Sequence, residues 1–411
     1  MRRWGSLAAV ASSVAVWILP AAAALMTLSG CAGCQSTVGQ ASLPPIAGGS
    51  FDGVVGDQSA HRLYLADRTK SGVDFVDISS PAPRFMGTVD VAASPNGLAV
   101  APELHRLYTG LAGGTLAVID TETGSPTYMQ VIKQISVGSA DADLLDYSPT
   151  LQRVFVATGS DGQIVAVDAI RNETRERFIL YSPVGQPRFD AADGMLYVTT
   201  ANNDSLVRIN PADGARSTIS VAGCHPNGLA INPLRQLALT TCRSSVAVVN
   251  LRTGAYDVNR VVAGGDIVSY ESTADRFVVA SPHDAKDSVV GVFYGDGTYL
   301  GSVASDPAAH GAAFDVRHGL VYAPGVAGLM SFVPGACEPP PDGLKFAAGM
   351  FVYTAPLLAF ALFLVWYARR KRDGGPARPT WEELQKEDLA NERERMRALE
   401  DAMLGPQPAG D

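Results

Sequence analysis

Seven times along the chain a short run of one character returns: HRLYLA at 61, HRLYTG at 105, QRVFVA at 152, GMLYVT at 194, RQLALT at 235, DRFVVA at 275 and HGLVYA at 318. The spacing is roughly 40 to 47 residues, the period of a four-stranded propeller blade. A shorter apolar run precedes each copy, as in GLAVAP (97–102), GLAINP (228–233) and AAFDV (312–316). Another run follows and ends on Asp or Asn, as in GTLAVID from 114, GQIVAVD from 162, DSLVRIN from 204 and SSVAVVN from 244. The joints carry TETG, PADG and LRTG, where glycine permits positive φ and proline presets φ. Runs such as TLAVID alternate with the period of two that a strand with two different faces requires.

These units predict an all-β chain, a seven-bladed β-propeller over 50–336. A sandwich also uses short strands, but it does not repeat a four-strand unit in one internal order. The last copy ends at GLMSFVPGA (328–336) without an obvious fourth strand. The segment VGQASLPPIAGG (38–49) is therefore predicted to supply the outer strand of blade seven and remove an exposed sheet edge.

The stretch PNGLAVAPELHRLYTGLAGGTLAVIDTETG (95–124) resembles the YVTN-repeat family of extracytoplasmic propellers. The resemblance covers about 50–336 and implies the fold. It does not imply one function, because that family spans binding proteins, surface proteins and relatives of cofactor-dependent dehydrogenases.

Loops leading into innermost strands meet around a propeller's central channel. In chain order they offer Asp52, Asn96, Asp141 with Asp143, Arg188, His225 and Asn227, Asp266, and His310. The ligand-binding candidates are His225, His310, Arg188, Asp141 and Asp266. The repeated Pro-Asn-Gly-Leu-Ala at 95 and 226 is also similar to the gluconolactonase and senescence-marker propellers. That similarity implies Asp52, Asn96 and Asn227 as ligands of Ca2+ or another divalent cation. The sequence departs from that family in having seven blades, and aspartate where the family has glutamate. The alternative for the same side chains is turn capping through side-chain-to-backbone hydrogen bonds.

The ends of the chain predict a membrane setting. Residues 1–30 read as a signal peptide or an uncleaved signal anchor, with a basic start and an apolar run to Leu28. LSGC at 28–31 resembles a bacterial lipobox, which implies lipidation of Cys31. A linker over 31–49 leads into the propeller, and a second over 337–345 leaves it. Residues 346–368 carry no charge and are long enough to cross a bilayer. Arg369, Arg370, Lys371 and Arg372 follow and assign that end to the cytoplasm. The remainder of 369–411 contains a predicted helix over 380–404 that opens on a Thr380/Glu383 capping box.

There are five cysteines. In an oxidising compartment the four other than Cys31 suggest two disulfides. Cys224 and Cys242 lie on strands joined by a hairpin, and Cys34 and Cys337 flank the inferred closure. A net charge of −9 without a basic stripe argues against nucleic acid as a partner. The expectation is a bacterial inner-membrane protein with a periplasmic propeller and a cytoplasmic tail. It would act as a binding or assembly module for a protein or small ligand, with a protein partner in or at the membrane. The alternative is a cation-dependent, lactonase-like hydrolase working in the channel, and a redox accessory role is a third. No nucleophile–base order stands out, so enzymatic activity stays open.

Overall fold

The computed structural model describes residues 39–282, 288–307, 309–325, 327–335, 360–369 and 379–403. Residues 39–335 build seven four-stranded antiparallel sheets, each ordered from an innermost to an outermost strand. Blade one is Phe51–Asp57, Arg62–Asp67, Gly72–Asp77 and Arg84–Asp90. All seven copies of the repeated run form the second strand of a blade, from Arg62–Asp67 to Leu320–Gly325.

The second strands are buried along nearly their whole length because each lies between two neighbouring blades. Alternate residues feed different interfaces. Tyr197 packs toward Leu229 and Ala238 of blade five, while Leu196 and Val198 pack toward Phe155 and Ile164 of blade three. Seven apolar clusters result, one at each boundary between adjacent blades. Outermost strands have no such neighbours, and Arg84–Asp90 accordingly alternates exposed and covered residues.

Turn chemistry explains the recurring polar letters. In blades one to five the aspartate or asparagine at the end of the third strand accepts a backbone N–H two residues on. Asp77 does so from Ser79, Asp120 from Glu122, Asp168 from Ile170, Asn210 from Ala212 and Asn250 from Arg252. His61 and His105 end the preceding turn at φ +50°, so these two histidines are turn residues rather than site residues.

The ring closes as expected. Gly39–Ser42 pairs antiparallel with Gly328–Phe332 and becomes the outer strand of blade seven. Just beyond it, Leu43 and Ile46 are buried against Leu63 and Leu65 of blade one and Tyr322 and Leu329 of blade seven. The disulfide Cys224–Cys242 is formed within blade five. Cys31, Cys34, Cys337 and the predicted signal segment lie outside the described residues.

The C-terminal region, Pro340–Asp411, is a separate compact unit. Within it, 360–369 is helical, and a second helix spans Trp381–Met403. No described helix is long and apolar enough to cross a membrane, and 346–359 of the predicted span lie outside the described residues. The capping box is realised in one direction. Glu383 Oε2 accepts the Thr380 N–H at 2.7 Å, and the Thr380 hydroxyl donates to the same oxygen.

Candidate functional site

Antiparallel order places two kinds of loop on one face of the ring: those entering each innermost strand, and those joining second to third strands. On this face the channel mouth is built by two chains of side chains that start from opposite sides. Arg68, in the turn after the second strand of blade one, donates from Nη2 to Asp52 Oδ2 at 2.5 Å and to Asn96 Oδ1 at 2.9 Å. Asn96 Nδ2 donates in turn to the Ala142 carbonyl of blade three. From the other side, Asn227 Nδ2 donates to Asp266 Oδ1 at 2.8 Å, and His310 Nδ1 lies 2.7 Å from Asp266 Oδ2.

The two chains meet. One potential ligand atom from each of Asp52, Asp266 and His310 falls within 4.8 Å of the others. Burial pushes the Asp52 carboxyl up to about 7, with Asp266 and Asp143 adding to the rise; the pairing with Arg68 only partly offsets it. Burial likewise pushes Asp143 up to about 6, with the Asp266 charge second. The hydrogen bond to Asp266 holds His310 above the usual imidazole value. At the mouth, burial and crowding thus lift Asp52 and Asp143 above the usual carboxylate range.

The two asparagines implied as ligands by the lactonase resemblance are hydrogen-bonded differently. Asn96 spends its oxygen on Arg68 and its nitrogen on Ala142, and Asn227 orients Asp266. Their following glycines are there for space. A Cβ on Gly97 would lie 2.7 Å from the Asp143 carbonyl, and one on Gly228 only 1.9 Å from that of Asp266. The Pro-Asn-Gly motif is therefore where one innermost strand presses on the next.

Three candidates stand apart from this cluster. His225 sits at φ +51°; its N–H donates to Asp204 Oδ1, and its Nδ1 lies 3.1 Å from the Ala201 carbonyl. It fastens a neighbouring turn. Asp141 accepts the Gly113 N–H, also a turn contact. Arg188 lies on the innermost strand of blade four, inside the channel. Its Nη1 reaches the Leu145 carbonyl and Asp146 Oδ1 on blade three, while Nη2 reaches the Val268 carbonyl on blade six at 3.4 Å. Burial lowers its pKa and raises that of Asp146, and the pairing between them opposes both shifts.

Other contacts tie adjacent blades together around the channel. Gln58 donates to the Phe314 carbonyl, Ser269 to that of Ala312, and Gln186 accepts the Leu229 N–H. About 450 Å³ of space remains among the innermost strands. Sequence reasoning missed Arg68 and Asp146. Arg68 was findable, since the loops between second and third strands share the mouth face; Asp146 is one polar residue inside a strand and carries no local signal.

Comparisons with known proteins bear on the fold. A family model described as outer membrane protein assembly factor BamB matches residues 87–220, less than half of the chain. No curated protein matches. A solved structure of Kuenenia stuttgartiensis hydrazine synthase is similar at a TM-score of 0.59 and 14% identity, covering 70% of this chain and 96% of that one. At that identity the likeness is one of fold, and 1633 solved chains match this chain, so fold alone does not select a function. The chain is a seven-bladed β-propeller with a stretch similar to the BamB assembly-factor model.

Proposed function

We propose that this chain is a binding or assembly module, held at a bacterial inner membrane by its apolar ends with the propeller outside the cytoplasm. The observation that carries the reading is the bridged channel. Arg188 spans it from blade four toward blades three and six, and the polar groups at the mouth are mostly committed to one another. A substrate-sized ligand has little left to contact inside, so recognition falls to the loop faces. The partial match to an assembly-factor model agrees with that reading.

The mouth face offers the means. Tyr181, 90% exposed, and Val261, 62% exposed, project from loops that enter blades four and six. An exposed aromatic with a polar tip suits a protein interface. The hydrolase alternative loses support because the Asn96 oxygen is taken by Arg68.

The test is site-specific photocrosslinking in cells, with a photoreactive residue at position 181 or 261 and, on the opposite face, at exposed Leu234. A discrete adduct from 181 and 261, absent from 234, is the expected result. Absence of adducts from both faces, together with lactone hydrolysis that disappears in Asp52→Ala, would replace the binding reading by the enzymatic one.

A further inference from the structure

We propose that Asp52, Asp266 and His310 bind one divalent transition-metal cation at the channel mouth, fastening blade one to blades six and seven. The inference stands apart from the binding reading, because it needs no partner and no reaction.

Geometry is the first support. Two carboxylates and an imidazole from three blades place their donor atoms within 4.8 Å of one another, the spacing of ligands around a single ion with bonds of about 2.0–2.2 Å. Two of the three ligands are already oriented from behind. Arg68 holds Asp52 Oδ2, and Asn227 holds Asp266 Oδ1. Partners of this kind fix metal ligands in place.

The second support is unused acceptor capacity. The Asp52 side chain is only 6% exposed, yet among the described residues no hydrogen bond reaches its Oδ1. None reaches the carboxylate of Asp143 either, whose charge is felt at Asp52.

The third is charge. Asp52, Asp143 and Asp266 face one guanidinium, Arg68. Three carboxyl groups around one guanidinium make a donor set that suits a cation and not an anion. The nitrogen donor decides the class of ion: imidazole with carboxylates suits Zn2+ or Mn2+, whereas Ca2+ favours an all-oxygen shell. The oxygen-only set of Asp52, Asn96 and Asn227 implied by resemblance is thereby replaced by a mixed one.

The test uses the full purified chain, stripped with chelator and dialysed, at pH 7.5. Zn2+ and Mn2+ are titrated calorimetrically with Ca2+ as comparison, and Co2+ is added for its visible absorption. One equivalent of Zn2+ or Mn2+ should bind more tightly than Ca2+ and raise the melting temperature. Binding should weaken at least tenfold in Asp266→Asn and in His310→Gln, with the cobalt band changed in the latter. His105→Gln, a turn substitution away from the mouth, should behave as wild type. Absence of saturable one-equivalent binding by the wild-type chain overturns the proposal, whatever the variants do. So does wild-type affinity in both variants.

Discussion

The imidazole of His310 lies 2.7 Å from the carboxylate of Asp266, and the other oxygen of that carboxylate takes the amide of Asn227. One side chain of blade six thus holds the loops of blades five and seven. Asp266→Ala removes both contacts and should destabilise the propeller by about 2 kcal/mol. Glu122→Ala, at an exposed turn, should stay within about 0.5 kcal/mol. Urea denaturation of the two variants beside wild type gives the comparison.

Gly228 tests the close approach of innermost strands. With a Cβ there placed 1.9 Å from the Asp266 carbonyl, Gly228→Ala must push two strands apart at a cost of about 1–3 kcal/mol. Gly194→Ala is an informative contrast. It has open space around it but φ +73°, so its cost is one of backbone strain, roughly 1 kcal/mol. Thermal melts should rank Gly228→Ala as the less stable.

Ile46 lies in an irregular segment and is 1% exposed, sealed between blades one and seven. Ile46→Ala should therefore cost about 2–4 kcal/mol, as for a core position. Hydrogen exchange should show protection lost first in Gly39–Ser42 and its partner Gly328–Phe332. Uniform loss across all seven blades would mean that the ring does not open at this seam.

Cys224 and Cys242 are 18 residues apart in sequence. Replacing both by alanine frees a loop of that size in the unfolded chain, a loss of about 3 kcal/mol on the chain-entropy account. The expected readout is a lower denaturation midpoint that reducing agent does not lower further. Reduction of the wild-type protein should reproduce it.

Asp74, buried beside Lys70 and Asp67, gives a pH dependence. Burial pushes its carboxyl from 3.8 up to about 6, against the pull of Lys70 and Thr88. The folded state then keeps a proton that the unfolded chain has released. Its contribution to stability is greatest below about pH 4, falls as pH rises toward 6, and is flat above. The fall is at most about 3 kcal/mol. Asp74→Asn should reduce the loss of stability seen between pH 4.5 and 7. An unchanged loss would assign it to other groups.

The sequence by itself determined the ring. Its repeats report on local matters: strands buried on both faces, aspartates that cap their own turns, and residues at positive φ before each second strand. Closure by 38–49 was legible because a seven-unit repeat lacked one strand at its end and had a spare at its start. The Cys224–Cys242 pair was legible because a hairpin joins the two strands.

Only the tertiary structure decided which loops meet. Asp52, Asp266 and His310 are separated by 214 and 44 positions, and nothing local distinguishes them from Asp141 or His225, which face neighbouring turns. Side-chain direction around the mouth depends on blade tilt and on how closely Gly97 and Gly228 let the innermost strands approach. A chain read one blade at a time does not contain those quantities. They arise when seven blades close on one axis.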